Sequence, residues 1–365
     1  MSDHLQISHH EVFRRPGHFS AWPANYGLWA WDEEIVVVFA DGKLGEQGAL
    51  HARDKSHEFK PMQARSVDGG ATWSPETFAG FVPGGKSLSA DEHLAVPLRS
   101  GSKLRGQDIP ALSTPVNFLD PEIAVMVART GLDGRAHSWF YLTRNRGRRW
   151  EGPFLFKGLD LKGLASRTDI VPLSDDHALF MMTAAKSDGN EGRCLCVETT
   201  DGGLTFHWKT SLPFDGDGYA IMPSSLRLSD GAIVSVVRRG RGIDQAGWLE
   251  TFRSKDNGAT WHPLGIPVED TGPGGNPGSL VRLGPQRLAI VYGFRGDRPG
   301  MRMVTSSDGG RKWSEAIDIR RDAVLPDIGY PRSVALNDGR ILAIYYYNFG
   351  KERFIAASTI SGDGH

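Results

Sequence analysis

Four eight-residue segments superimpose without a gap on the pattern Ser/Thr-x-Asp-x-Gly-x-Thr/Lys-Trp/Phe: 66–73, 199–206, 254–261 and 306–313. A fifth, 143–150, keeps the hydroxyl, the glycine and the tryptophan, with Asn145 where the others have aspartate. The residue types describe a turn. Ser/Thr and Asp oxygens accept nearby backbone N–H groups, glycine supplies a positive φ, and the closing aromatic anchors the turn in apolar surroundings. The aspartates Asp68, Asp201, Asp256 and Asp308 are therefore read as structural groups.

Spacing extends this local device to a fold. The closing aromatics are separated by 77 residues (Trp73 to Trp150), then 56 (to Phe206), 55 (to Trp261) and 52 (to Trp313). Such intervals suit one four-stranded antiparallel blade plus its loops, with an insertion in the first interval at about 84–118. A sixth copy of the strand–turn–strand unit, 334–345, has no box of its own. The segment around His9, His10, Val12 and Phe13 can supply its missing outer strand, which would close the ring and remove an exposed edge. The expectation is an all-β, six-bladed β-propeller spanning residues 1–365 as a single domain. The 45 glycines, 21 prolines and 10 tryptophans agree with many short strands and tight turns.

Charge and cysteine usage remove several function classes. Lys plus Arg (42) balance Asp plus Glu (43), so no global field favours nucleic acid or an anionic membrane. Cys194 and Cys196 sit two apart on one strand, a poor geometry for a disulfide and too few ligands for structural zinc; buried thiols are expected. Nucleotide, dinucleotide and zinc signatures are missing from the sequence, so no cofactor and no metal are expected. The N-terminus has neither the basic start nor the apolar run of a leader, which points to a cytoplasmic protein unless a leader was removed.

In a propeller, ligands gather where the inner strands begin at one mouth of the channel. Those starts are read as Trp22-Pro23-Ala24-Asn25-Tyr26, Asp120-Pro121-Glu122, Arg167-Thr168-Asp169, Tyr219 to Ser224, Gly275-Asn276-Pro277 and Asp327 to Arg332. The first blade adds a loop rich in ionisable groups, Asp41-Gly42-Lys43 and then His51, Arg53, Asp54, His57 and Glu58. This loop either supplies an acid/base group or is simply solvated. Arg238 and Arg239, at the end of an apolar strand, either grip an anion bidentately or form surface ion pairs. Arg298 and Arg302 carry the same two readings.

The boxes and their spacing resemble the sialidase (neuraminidase) superfamily of Asp-box, or BNR-repeat, propellers along essentially the whole chain. In that superfamily three arginines hold a substrate carboxylate, a tyrosine paired with a glutamate is the nucleophile and an aspartate is the acid/base. The resemblance implies Tyr330 as nucleophile, within Gly329-Tyr330-Pro331-Arg332, Arg238 or Arg239 as the second arginine, Arg298 as the third and Asp54 as acid/base. Two positions depart from the pattern. Ala21-Trp22-Pro23-Ala24 stands where the first arginine belongs, and Ile221-Met222-Pro223-Ser224 where the glutamate belongs.

Three functions follow as expectations. The first is a sialidase-like exo-glycoside hydrolase, not a standard sialidase, cleaving next to or within an acidic sugar. Asp54, Asp169 and Glu122 compete there for the proton-transfer roles, while Arg53, Arg167, Arg238, Arg332, Asn25, Asn276, Lys43 and a stacking Trp22 handle the ligand. The second is a lyase acting on a uronate through Tyr330 and His57 or His51. The third is a propeller that binds a glycan without turnover. In each case the expected partner is a carbohydrate that carries a carboxylate, and neither nucleic acid nor membrane.

Overall fold

The computed structural model describes residues 5–46, 51–82, 88–90 and 109–361, and six blades surround a central channel. The first strand, β1 (Gln6–Phe13), belongs to the last blade. Blade one contains β2 (His18–Ala21), β3 (Gly27–Trp31), β4 (Glu34–Lys43), β5 (Lys60–Ser66) and β6 (Ser74–Thr77). Blade two has three strands, β7 (Ala124–Arg129), β8 (Ser138–Thr143) and β9 (Glu151–Leu155). Blade three is β10 (Ile170–Pro172), β11 (Ala178–Ala185), β12 (Glu191–Thr199) and β13 (His207–Ser211). Blade four is β14 (Tyr219–Arg227), β15 (Ile233–Gly240), β16 (Trp248–Ser254) and β17 (His262–Val268). Blade five is β18 (Gly278–Arg282), β19 (Leu288–Phe294), β20 (Gly300–Ser306) and β21 (Ile317–Arg320). In blade six, β22 (Gly329–Ala335), β23 (Ile341–Tyr347) and β24 (Phe354–Ser361) are completed by β1, which pairs antiparallel with β24 from Gln6↔Ser361 to Phe13↔Ile355. First and last segments thus close the ring.

The second strand of each blade is packed on both faces by its neighbours, so it reads as a continuous apolar run, as in Ile35 to Ala40 of β4 and Ile341 to Tyr347 of β23. Around the channel, hydroxyl and carboxylate side chains stitch the inner strands together. Ser225 N donates to Asp169 Oδ1 (2.9 Å), Leu280 N to Ser224 Oγ (3.0 Å), and Ser333 N to Ser279 Oγ (2.8 Å). Each of these satisfies an inner-edge N–H that no strand covers.

The boxes form as their residue types dictate. In the first, Gly70 N donates to Ser66 Oγ (2.9 Å), Thr72 N to Asp68 Oδ1 (2.9 Å), and Trp73 Nε1 to Gly70 O (3.0 Å). The Thr72 and Ser66 bonds hold the Asp68 carboxyl down to about 2, so it stays ionised as a turn brace. Asn145 reproduces the geometry in the fifth box, accepting Arg149 N at 3.0 Å. Cys194 and Cys196 are buried free thiols on β12.

Blade two differs from the sequence reading. Its β7 runs toward the mouth as the second strand, and beside its end Ser89 N donates to Arg129 O while Arg129 N donates to Ser89 Oγ, both at 3.2 Å. Residues 88–90 therefore hold the place at the mouth expected of Asp120-Pro121-Glu122. Glu122 lies at the opposite end of β7, ion-paired with Arg146 of the fifth box (2.5 Å). Of the insertion at about 84–118, residues 84–87 and 91–108 lie outside the described residues.

Candidate functional site at the channel mouth

Three inner strands break at the same place in the same way. Trp22, Met222 and Tyr330 each precede a proline and each has a positive φ, of 62°, 52° and 51°. A non-glycine residue there costs on the order of 1–3 kcal/mol, and a following proline disfavours helical conformations further. The register shows what the strain achieves. Ile221 pairs with Arg238 and Ser224 with Val236, so Met222 and Pro223 form a bulge opposite Val237; Gly329 pairs with Tyr346 and Arg332 with Ile344, so Tyr330 and Pro331 do the same. In blade one the whole stretch from Trp22 to Tyr26 bulges between Ala21↔Ala40 and Gly27↔Val38. Asn276 locks the last of these, accepting Tyr330 N through Oδ1 (2.9 Å) while its Nδ2 donates to Ile328 O (3.0 Å). Asn276 is fully buried, so it sets Tyr330's backbone.

Two buried arginines lie against the Tyr330 ring, with Arg238 and Arg295 guanidinium carbons each 5.5 Å from its centroid. Arg238 Nη1 donates to the Tyr330 hydroxyl (2.9 Å), its Nη2 donates to Gly274 O, and its Nε is buried without a partner. Arg295 donates to Ile328 O (3.1 Å), Gly275 O (2.9 Å) and Tyr346 OH (2.8 Å). Every one of these acceptors is neutral. Among the described residues neither cation is bonded directly to a carboxylate, and buried cations without such a partner are costly, which makes the pocket receptive to negative charge. Burial pushes the Tyr330 phenol up, but Arg238, Arg295 and Arg167 outweigh it and hold the group below its ordinary value.

Beside them lies a hub built on Asp327. Its carboxylate accepts His51 Nδ1 (2.9 Å), Tyr346 OH (2.7 Å), Arg353 Nε (3.0 Å) and Ala52 N (3.3 Å). Burial opposes ionisation, yet His51, Arg353 and Arg295 win and keep Asp327 well below the usual carboxylate range. His51 itself is pushed down to about 4, chiefly by burial, with Asp327 opposing and Arg295 and Arg53 adding to the effect.

The remaining candidates distribute as follows. Arg167 is buried, bonded to Ala165 O (2.6 Å), Asn25 Oδ1 (3.5 Å) and Glu191. Trp22 is fully buried against Phe19 and Phe59, so it is a wall of the core and offers no exposed stacking face. Arg239 faces away from Arg238, as alternation along a strand requires, and pairs with Asp215 and Glu250. Arg298 is exposed in the turn after β19, and Arg295 takes the position expected of it. Arg302 covers the Phe294 ring and pairs with Asp318. Asp54 and His57 pair with each other near the surface (2.7 Å), with Ser56 bound to Asp54 as well, and Lys43 is exposed. Arg53 Nη1 donates to His51 O (2.6 Å), bracing the loop that carries the histidine. Residues 47–50 of that loop lie outside the described residues.

Further down the channel, Asp169 and Arg332 line a cavity of about 290 Å³ with Ser224, Ser225, Ser279 and Ser333. Arg332 Nη2 is spent on Ala24 O (3.0 Å) and Thr168 O. Burial raises the Asp169 carboxyl to about 6, with Ser225 and Arg332 pulling the other way. A carboxyl raised on folding contributes stability that is complete below its unfolded value near 4 and is lost as pH rises through about 6. Asp169→Asn, which keeps an acceptor for Ser225, is therefore expected to gain ~1–3 kcal/mol at about pH 8 and little at about pH 4. Urea denaturation at the two pH values measures this, and an equal effect at both would refute it.

Arg295, Tyr346 and Glu191 were not among the sequence candidates, and Asp327 was named only at the start of an inner strand, with no role. One signal existed for the first: Arg295-Gly296 repeats Arg239-Gly240 at the end of a second strand. Asp327 was read only as the start of the last inner strand, since its partners come from three distant segments.

Comparison with known proteins bears on the fold. Residues 181–344 match the model of a BNR repeat-like domain. No curated protein matches the chain. Among solved structures, a protein of unknown function from Dyadobacter fermentans is 20% identical, with a TM-score of 0.73 over 98% of this chain and 99% of that one. Trypanosoma rangeli sialidase, solved with the inhibitor DANA, is 12% identical with a TM-score of 0.60, over 97% of this chain and 59% of its own. NanB sialidase of Streptococcus pneumoniae (a K499G mutant) is 15% identical with a TM-score of 0.57, over 92% and 67%. The chain has the six-bladed propeller fold of sialidases at low identity, with the BNR repeat-like match confined to residues 181–344, and it spans about three fifths of the trypanosomal enzyme's length.

Proposed function

We propose that the protein is an enzyme acting on a glycan that carries a carboxylate, bound at the channel mouth with the carboxylate against Arg238 and Arg295. The observation that carries this reading is the pair of buried guanidiniums beside Tyr330, neither of them ion-paired with a carboxylate among the described residues. Sialidases of the same fold, solved with sialic acid analogues, support an acidic sugar as the ligand class. Exo-glycoside hydrolysis is the leading chemistry: Tyr330, its proton loosened by the arginines, attacks the anomeric carbon, and water later releases the sugar. The missing glutamate is then replaced by cationic stabilisation of the phenolate.

A second reading, β-elimination from a uronate, draws on His51. An imidazole held down to about 4 is neutral near pH 7 and suited to remove the proton α to a carboxylate that the arginines neutralise. Incubation with sialosides, aryl glucuronides and rhamnosyl-uronate oligosaccharides separates the readings. Hydrolysis releases a reducing sugar without ultraviolet absorbance, elimination produces an absorbing double bond, and binding without either product marks a non-catalytic propeller. If nothing in the panel turns over, and Arg238→Met binds these sugars as the parent does, the acidic-glycan reading fails.

A further inference from the structure

We infer that Tyr346 is a positioning residue of the anion pocket: its hydroxyl bridges Arg295 and Asp327, keeps that guanidinium from pairing with that carboxylate, and so leaves the Arg295 charge to Tyr330 and to an incoming anion. What concerns the incoming anion rests on the acidic-glycan reading above. The bridge is a single oxygen. Arg295 Nη2 donates to it at 2.8 Å, and it donates its own hydrogen to Asp327 Oδ1 at 2.7 Å. Arg295 spends its other two nitrogens on the backbone, Nε on Ile328 O and Nη1 on Gly275 O. Asp327 forms its ion pairs with Arg353 Nε (3.0 Å) and His51 Nδ1 (2.9 Å).

The opposite face of the same strand shows what these residue types do when no hydroxyl is interposed. Alternation along β23 sends Tyr347 away from Tyr346. There Arg320 Nε pairs directly with Asp322 Oδ1 at 2.9 Å, and the Tyr347 hydroxyl donates to that same oxygen at 3.0 Å from beside the pair. The Arg320 charge is thereby committed to its own carboxylate, with its guanidinium carbon 4.4 Å from the Tyr347 centroid. At Tyr346 the hydroxyl stands in the line of contact and accepts the arginine itself.

Tyr346 is built to hold this position. It is fully buried, and β23 fixes its backbone by pairing it with Gly329 on one side and Ile355 on the other. Its ring lies 6.0 Å from that of Tyr330 and 6.2 Å from that of Phe19. Burial pushes its phenol well above the ordinary value, with Arg295 opposing, so the bridge stays neutral and cannot itself cancel the cation. The charged and titratable groups around the hydroxyl are Arg295 after β19, Asp327 at the start of blade six, His51 with Nδ1 at 3.4 Å, and Tyr330. Those acting on Tyr330 include Arg238, Arg295 and Arg167. Without the oxygen, Arg295 and Asp327 can close the gap, and their attraction grows in inverse proportion to the distance left.

Ultraviolet titration of the tyrosines tests this without substrate, the Tyr330 step being the one missing from Tyr330→Phe. Tyr346→Phe keeps the ring and removes the bridge. The Tyr330 midpoint is then expected to rise by about one pH unit as Arg295 turns to Asp327, and the Kd of an acidic sugar that the parent binds to rise about tenfold. Tyr345→Phe, on the opposite face of β23, should leave both in place. With Asp327→Asn present, Tyr346→Phe should no longer raise the midpoint, because the carboxylate that captures Arg295 is gone; if Asp327→Asn does not fold, the two single variants decide. A midpoint that stays or falls in Tyr346→Phe, that moves as far in Tyr345→Phe, or that rises equally with Asp327→Asn present overturns the inference, as does an unchanged Kd for a sugar the parent binds. Each of these leaves the acidic-glycan reading standing. A parent that binds no acidic sugar of the panel overturns that reading, and the titration alone then decides whether Tyr346 shields Arg295.

Discussion

Tyr330→Phe should abolish turnover of an acidic glycan, by a factor of ~10³ or more in kcat, with the fold intact. The substitution removes one oxygen and nothing else. The ring stays beside the two guanidiniums, Asn276 still holds the backbone, and the bulge keeps its register. What vanishes is the acceptor of Arg238 Nη1, whose other contact is the Met222 sulfur at 3.6 Å. The variant should therefore bind an acidic sugar at least as well as the parent, because Arg238 has lost an acceptor and seeks another. A split between binding and turnover separates a nucleophile from a mere positioning group. The same phenol gives a measurement that needs no substrate: in ultraviolet titration the parent should show one tyrosine ionising below the usual range near 10, and that step should be missing from Tyr330→Phe. Retention of more than about a tenth of kcat would exclude Tyr330 as nucleophile.

The fold was legible because its signal is local. A box carries its own hydrogen-bond set within eight residues, from a hydroxyl to the glycine four positions on and from the aspartate to the N–H four positions on. No distant partner is needed to recognise it. The closure by β1 was legible too, since the sixth repeat visibly lacked an outer strand. At the site, Tyr330 was reached through the resemblance of its segment to a family motif, and Arg238 as one of an arginine pair that ends an apolar strand. Arg295 was displaced to Arg298 in the sequence reading because spacing from a box is elastic across a turn. Trp22 was expected at the surface since it replaces an arginine in a ligand-facing motif, yet an indole in that bulge gains more by packing on Phe19 and Phe59 than by facing water. Glu122 was assigned to the mouth on the assumption that each inner strand is contiguous with its blade, and in blade two residues 88–90 hold that place. Asp327 joins His51, Ala52, Tyr346 and Arg353, a set that exists only once the ring has closed.

That dependence on closure sets the largest stability effect expected of any single residue in the site. Asp327→Ala should cost ~3–5 kcal/mol, because it leaves Arg353 buried without its carboxylate and removes acceptors from His51 and Tyr346 at once. Acid should reach the same weakness in the parent without mutation. His51 has a folded value lowered from 6.5 to about 4, so the folded state resists a proton that the unfolded chain accepts. Its contribution to stability is complete above the unfolded value and is lost as pH falls from about 6.5 toward 4. Asp327 is also depressed, and its contribution is complete above the unfolded carboxylate value and lost at lower pH as its folded value is approached. The two losses occur in sequence, so urea midpoints should fall first between about pH 6.5 and 4 and again below 4. Asp169, whose shift has the opposite sign, works against the first loss, so the parent's first step is shallower than that of Asp169→Asn. His51→Gln should flatten the first step and keep the second. Equal sensitivity to pH in the parent and in His51→Gln across the first window would show that the ring closure does not load its strain onto this pair.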